Sequence, residues 1–363
     1  MVVAVIVSTC VLMELGARLA IYGMEYWRPD YRAEADGYVH ASWTRDYYKE
    51  FLDSGEVEWQ SYVYWRRRPY RGTFINIDQD GIRRTWRSPS LTGDSPSVFV
   101  LGGSTVWGTG ARDDYTLPSH LARALDAQGH PSRVVNYGES GYVTAQALAI
   151  LVQRLRRGDV PDVVVFYGGV EDVFSAFQNG EAGLPQNEAN RRLEFNSTQP
   201  ERLDKTWLVM TSGLGRLGDT FRNLFVSTSR AAGNDGTRLL AQDVIDQYCS
   251  TLRVADALGR QYGFRAVYYW QPVIFTKQPL TTYESAARDR YAYARPFFDD
   301  VYRRIAAGTD PCRPLTIRDI SRIFAQDPGP VYVDAFHMTE QGNQRVAAEI
   351  VPPVIAGLAE GRR

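Results

Sequence analysis

Three continuous apolar runs, each cut off by glycine, set the strongest limit on how this chain can fold. They are Val98-Phe99-Val100-Leu101 before Gly102-Gly103, Val134-Val135-Asn136-Tyr137 before Gly138, and Val163-Val164-Val165-Phe166-Tyr167 before Gly168-Gly169. A strand that is apolar at nearly every position has to be covered on both faces. Between the runs, Leu117–Ala127 and Ala145–Leu155 carry apolar residues at helical spacing. Strands that alternate with helices in this way build a parallel sheet sandwiched by helices. The rhythm resumes with a helix over Gln242–Tyr262, the run Ala266–Trp270 and a helix over Glu284–Ala307. It ends with the short run Val331-Tyr332-Val333 and a helix starting at Gln341 that Pro352-Pro353 closes. The expected fold is a three-layer α/β/α sandwich around a central parallel sheet of about five strands, in the flavodoxin-like style.

Three segments stand outside that rhythm. Residues 174–238 are rich in Asn, Gly, Gln and Arg, with weak helical spacing only over Leu203–Leu224. A stretch this long without strands is expected to be an insertion, often a lid over a site. Residues 25–94 are aromatic and arginine-rich with no sustained helical period, and only Thr73–Asp78 alternates like a short strand before the Asp80-Gly81 turn. They read as a lead segment packed on the main domain, residues 95–358. The third segment is residues 1–24, apolar from Met1 to Met13 apart from Ser8 and Thr9, then interrupted by Glu14 and Arg18.

A spanning helix needs about 20 predominantly apolar residues, and the uninterrupted run is shorter than that. With Arg18 placed near an interface, an uncleaved hydrophobic anchor is the expectation for residues 1–24. An amphipathic or buried N-terminal helix of a cytoplasmic protein is the alternative. Arg28, Arg32 and Arg45 downstream argue mildly for a cytoplasmic flank. The body is nonetheless expected outside the cytoplasm, in the periplasm.

The charge balance, 41 basic against 42 acidic residues, excludes a general nucleic-acid binder, which carries a net basic field. The local basic stretches Arg66-Arg67-Arg68 and Arg154 to Arg157 read as solvated faces. Three cysteines make no disulfide scaffold. Cys249 and Cys312 either pair, if the body is exported, or are buried as small hydrophobes.

Chemistry concentrates just after the apolar runs. Ser104 follows the first and opens a short helix, so that its N–H and the helix dipole point into the site. Asp334 and His337 follow the last. A serine, an imidazole and a carboxylate are the minimum set for acyl transfer through serine: His337 takes the Ser104 proton and Asp334 orients the ring. Gly103 to Gly108 has the glycine interval of a phosphate-binding loop, but Thr109 stands where lysine is required. His40, His120 and His130 are scattered and form no metal-ligand spacing, so no metal or cofactor is expected.

These blocks resemble the SGNH (GDSL-type) hydrolase superfamily, and the N-terminal segment resembles that of a membrane-anchored bacterial subgroup. Gly102-Gly103-Ser104 matches the nucleophile block, with Gly103 where many members have Asp. Asn136 to Gly141 matches the second block, which implies that the Gly141 N–H serves the oxyanion beside that of Ser104. Gly169-Val170-Glu171-Asp172 matches the third, and Asp334-Ala335-Phe336-His337 the fourth. The resemblance implies a serine esterase, acting on an acyl group such as acetyl on a small-molecule or cell-envelope carbohydrate ester. An O-acyltransferase would use the same residues.

One position departs from the pattern. Glu171 stands where the family has an asparagine that donates to the oxyanion, and an ionised carboxylate donates nothing. Three outcomes are open at this point. Burial raises the Glu171 pKa so that it donates as a neutral acid; or Asn179 takes the role; or the fold serves binding or assembly without catalysis.

Overall fold

The computed structural model describes residues 9, 11–19, 30–197, 234–308 and 312–360. They fall into two units, of which the larger holds residues 31–186 and those from 234 onward. In the smaller unit residues 11–19 are helical, with Arg18 Nε 2.8 Å from Glu14 Oε1, and Glu188–Ser197 form a second helix. The rest of the expected anchor over residues 1–24, and Leu203–Leu224, lie outside the described residues. Among the described residues no helix is long and apolar enough to cross a membrane.

The lead segment is more structured than its sequence pattern predicts. Helix α1, Thr44–Asp53, was hidden because its buried face is aromatic and not aliphatic: Tyr47, Tyr48 and Phe51 pack with Trp43 and Trp107 at ring distances of 5.0–6.4 Å. Tyr47 satisfies its hydroxyl by donating to Gly108 O and accepting from Gly110 N–H, as a buried tyrosine must. Strands β1 (Val57–Gln60) and β2 (Tyr64–Arg67) form a hairpin, and β3 (Tyr70–Arg71) pairs antiparallel with β4 (Asn76–Ile77). The expected strand over Thr73–Asp78 is thus reduced to Asn76–Ile77.

The hairpin overturns the solvated reading of Arg66 and Arg67, which are 4% and 5% exposed. Arg67 lies over the Trp107 ring and donates to Glu139, Ser54 O and Ser140 Oγ. A buried guanidinium is tolerable when all its donors find acceptors in this way. Arg68 is exposed beside Glu56, Arg154 is half-buried beside Asp80, and Arg156 and Arg157 are solvated as expected.

The core is a five-stranded parallel sheet of β5 (Ser97–Gly102), β6 (Arg133–Asn136), β7 (Val163–Gly168), β8 (Arg265–Trp270) and β9 (Ile317–Asp319). Their order is β6-β5-β7-β8-β9, so the chain reverses direction of growth between β5 and β7. Both central strands are buried along their length, as their unbroken apolar runs require. Helices α2 (Leu117–Ala127) and α8 (Glu340–Glu360) cover one face. Helices α3 (Thr144–Arg156), α4 (Val170–Asn179), α5 (Asn234–Tyr262) and α7 (Arg295–Ala307) pack together over the other, and α6 (Thr282–Asp289) precedes α7. This is the expected three-layer sandwich.

Three elements differ from the sequence expectation. The predicted helix over Glu284–Ala307 is two, because Pro296 lacks the N–H and clashes with the preceding turn that a continuous helix would need, and is accepted only in the first turn of α7. Helix α8 runs through Pro352 and Pro353 instead of stopping there. Its buried face continues with Val354 and Leu358, and the Glu349 carbonyl, orphaned by Pro353, accepts from the Tyr269 hydroxyl at 3.2 Å. The fifth strand is Ile317–Asp319, not Val331–Val333. The N–H groups of Val331 and Tyr332 are taken by Glu284 Oε1 at 2.9 and 3.1 Å and are unavailable to a ladder.

Cys249 on α5 and Cys312 are joined by a disulfide that closes a loop of 63 residues. Chain-entropy arguments give such a loop about 4 kcal/mol of stabilisation. Reduction, or the Cys249→Ser/Cys312→Ser pair, is expected to lower unfolding stability by that order; unchanged denaturation midpoints with and without reductant would refute it.

Candidate active site

In an open parallel sheet, ligands bind at the carboxyl edge where the winding reverses, because loops from the two flanking strands part there. Here that point lies between β5 and β7. Ser104 follows β5, and Glu171 stands in the first turn of α4 after β7. Gly102 is forced by packing: a Cβ there would sit 2.1 Å from Tyr167 O of the neighbouring strand. Gly169, at φ +117°, turns the chain into α4 hard against the Trp270 ring, which accounts for it as a structural glycine.

The third component arrives on the loop after Val331–Val333. The Tyr332–Met338 bridge and the Val333 N–H to His337 O bond close this loop on itself. Inside it, Asp334 Oδ1 accepts the N–H groups of Phe336 and His337 at 2.9 and 2.8 Å. His337 Nδ1 lies 2.7 Å from Asp334 Oδ2, and His337 Nε2 lies 2.7 Å from Ser104 Oγ. The three residues predicted to act together therefore form one continuous hydrogen-bonded chain.

Burial alone would raise the Asp334 carboxyl. The imidazole and N–H groups it faces, and the Arg32 guanidinium 3.5 Å from Oδ2, outweigh burial and hold it well below the usual carboxylate range. Arg32 is a residue sequence reading missed. Its sequence context marks only a flanking charge, yet it lies over the rings of Tyr48 and Phe51 and points its charge at Asp334. Nothing in local sequence links the lead segment to this loop.

The loop itself is braced by a buried ion pair, also unforeseen. Lys277 Nζ is 2.6 Å from Glu284 Oε2, both side chains are inaccessible, and Glu284 Oε1 holds Val331 and Tyr332. Breaking a buried pair on one side costs about 3–5 kcal/mol because the remaining charge is stranded. Glu284→Gln is expected to lose stability of that order in denaturant titration; a loss under 1 kcal/mol would show the brace to be dispensable.

Glu171 is the unusual member. It is 3% exposed, and its Oε1 accepts from the Ser104 N–H at 2.8 Å and lies 3.0 Å from Ser104 Oγ. The carboxyl thus occupies the Ser104 N–H, a donor expected to serve the oxyanion. Ser104 has one hydroxyl proton and two acceptors facing it, His337 Nε2 and Glu171 Oε1. Burial is the dominant influence on Glu171 and raises its pKa; the backbone N–H groups, the His337 charge and the Ser104 bonds pull the other way. Glu171 Oε2 is buried with no hydrogen-bond partner, a poor setting for an ionised oxygen.

Gly103 is the complement of Glu171. A Cβ at position 103 would lie 2.0 Å from Glu171 Oε1, so the carboxyl occupies the space an aspartate would need. Asn179 does not take the donor role. Its amide donates to Ser175 O, Ser175 Oγ and Pro185 O at 3.0 Å, at the far end of α4. Asp172, pushed up to about 6 by burial, accepts from the N–H and hydroxyl of Thr144 and ties α4 to the start of α3. Gly141, on the loop after β6, has φ +79°, and a side chain there would meet the Gln186 amide.

A family model, the GDSL-like lipase/acylhydrolase, matches residues 98–350, from the start of β5 to the middle of α8. The chain belongs to that family. It is an ester hydrolase of the GDSL type, with the SGNH blocks on the loops that meet at the switch point. Among solved structures it is similar to an acetyl xylan esterase, at 15% identity over 71% of this chain and 99% of that one with a TM-score of 0.37. It is also similar to a lipase/acylhydrolase from Enterococcus faecalis (15% identity, 74% and 96%, TM-score 0.36). It is similar as well to a catalytic mutant of an acetylxylan esterase from Geobacillus stearothermophilus (14% identity, 72% and 94%, TM-score 0.38). No curated protein matches the chain.

Proposed function

We propose that this GDSL-type hydrolase works through Ser104, His337 and Asp334, and that its acyl group is acetyl carried by a cell-envelope carbohydrate. The observation that carries the serine mechanism is the unbroken chain from Ser104 Oγ through His337 to Asp334, each link at 2.7 Å. Ser104 Oγ attacks the ester carbon as its proton passes to His337 Nε2, and the carbonyl π pair moves onto oxygen. The tetrahedral intermediate collapses, the leaving alkoxide takes the proton from His337, and an acyl-serine remains. Water then repeats the sequence, giving its proton to His337 and releasing the acid with Ser104 restored.

The oxyanion would rest on the N–H groups of Ser104 and Gly141, so Glu171 has to release Ser104 first. A neutral Glu171 does this at lower cost and adds its own O–H as a donor; an ionised one repels the forming charge. The Glu171 carboxyl is therefore the gate of the proposed cycle. Acetyl and the carbohydrate rest on analogy with anchored members of the family. The Cys249–Cys312 disulfide supports an oxidising compartment outside the cytoplasm, consistent with a body held there by the N-terminal segment.

A second reading has one observation in its favour. With Glu171 on the Ser104 N–H, the site could be closed and the fold kept for binding. A fluorophosphonate probe separates the two, since it labels only an activated serine. Labelling at Ser104, with faster turnover of p-nitrophenyl acetate than of the butyrate or octanoate and acetate release from O-acetylated glycan, is the expected result. No labelling of folded protein at any pH would favour the binding reading, and a preference for long chains would remove acetyl.

A further inference from the structure

Away from the ester site, a cavity of about 90 Å³ lies between the β1–β2 hairpin, the Gln79–Gly81 turn and the C-terminal part of α3. Four guanidinium groups line it, those of Arg66, Arg67, Arg154 and Arg157, against two carboxylates, Glu58 and Asp80. Three of the four are accounted for. Arg67 spends its donors on Glu139, Ser54 and Ser140, Arg154 lies 3.3 Å from Asp80, and Arg157 is exposed to water.

Arg66 is the exception. Its Nε donates to Gly81 O at 3.1 Å, but Nη1 and Nη2 are buried without a full hydrogen bond, and the polar group that approaches them is the Tyr142 hydroxyl, which is itself committed to Trp65 O. Among the described residues no carboxylate lies within ion-pair distance of it, and the residue is 4% exposed. A guanidinium removed from water with two of its three nitrogens idle is costly unless an anion completes it. A planar fork with adjacent unused N–H groups matches a phosphoryl group in bidentate fashion. The charge agrees in sign: with Arg67 matched by Glu139 and Arg154 by Asp80, Arg66 and Arg157 stand against Glu58 alone, which leaves one cation in excess for a phosphate group to meet.

We infer that this cavity is a binding site for a phosphate group, held by Arg66 with Arg154 and Arg157 at its mouth. The ligand is either free phosphate or a phosphomonoester on a larger molecule. The site adjoins the Arg67–Glu139 pair that supports the Gly138–Gly141 loop, yet it needs nothing from the ester chemistry and stands whether or not Ser104 is a nucleophile.

The test is calorimetric titration of the full chain at constant ionic strength, with inorganic phosphate, glycerol 3-phosphate and glucuronate in separate arms. One saturable phosphate site is expected. Arg66→Leu should weaken it roughly 10- to 100-fold, the loss expected for a charge-assisted hydrogen-bond pair. Arg157→Gln, on an exposed side chain whose removal does not threaten folding, should weaken it in the same direction, so the test survives an unstable Arg66 variant. Tighter glycerol 3-phosphate than phosphate assigns the site to a phosphorylated molecule, and the reverse order assigns it to the free ion. No saturable binding of either phosphate, identical affinity in the variants, or glucuronate binding as tightly as phosphate would overturn the inference.

Discussion

Ser104→Ala is expected to reduce kcat on a p-nitrophenyl ester by about a millionfold, down to what binding and the remaining oxyanion donors supply. The size follows from the proposed cycle, in which Ser104 Oγ forms the acyl bond and His337 and Asp334, each link 2.7 Å from the next, act through it. The fold should survive, because the lost contacts are hydrogen bonds to His337 and Glu171 at a half-buried position. The comparison is best made on the acid side of the wild-type profile, where Glu171 obstructs least. Residual activity within tenfold of wild type, with the fold intact, would mean that another nucleophile does the work.

Glu171→Asn is expected to act in the opposite direction. An asparagine returns a donor to the oxyanion and removes a carboxylate from the Ser104 N–H, and one oxyanion donor is worth about 10²–10³ in kcat. The gain should appear at alkaline pH, with little change in acid. Burial raises the Glu171 pKa, so its neutral, permissive form extends above the ordinary carboxylate range and gives way to the obstructing anion as pH rises through the raised value. Wild-type kcat should therefore fall on that side, and the fall should be absent in Glu171→Asn.

Stability follows the same sign. The folded state binds the Glu171 proton more tightly than the unfolded chain does. That contribution is fully present below the unfolded carboxyl pKa and is lost as pH rises through the folded one. The Gly103 contact supplies an internal control. Gly103→Ala should be damaging beside Glu171 and milder in Glu171→Asn, giving a coupling of about 0.5–3 kcal/mol in a double-mutant cycle. Full additivity would place the two side chains apart and undo the account of this corner.

Four of the five sheet strands and the three residues of the hydrogen-bonded chain were readable because they are local signals. An unbroken apolar run such as Val163–Phe166 states its own burial, and a Gly-Gly-Ser turn or an Asp-x-x-His loop carries its geometry within four residues. Helix α2, Leu117–Ala127, runs between the limits its apolar spacing gives, with Thr116 as its cap. The signal failed where an aromatic face replaced an aliphatic one, as in α1, and where a hydrogen bond from elsewhere rescued a forbidden arrangement. Nothing within α8 announces that Tyr269 will satisfy the carbonyl Pro353 leaves behind.

Sequence by itself determined the alternation of buried strands and helices, the family blocks, and the presence of a carboxylate where an amide belongs. Only the tertiary structure decided where that carboxylate goes. It lies on the Ser104 N–H, in the space that glycine at 103 leaves open, in surroundings that favour its neutral form. The same holds for the Arg32 charge on Asp334, the Lys277–Glu284 brace and the pairing of Cys249 with Cys312. Periodicity records which face of an element is buried. The partner of a single polar side chain depends on residues hundreds of positions away, and these meet only when the sheet closes.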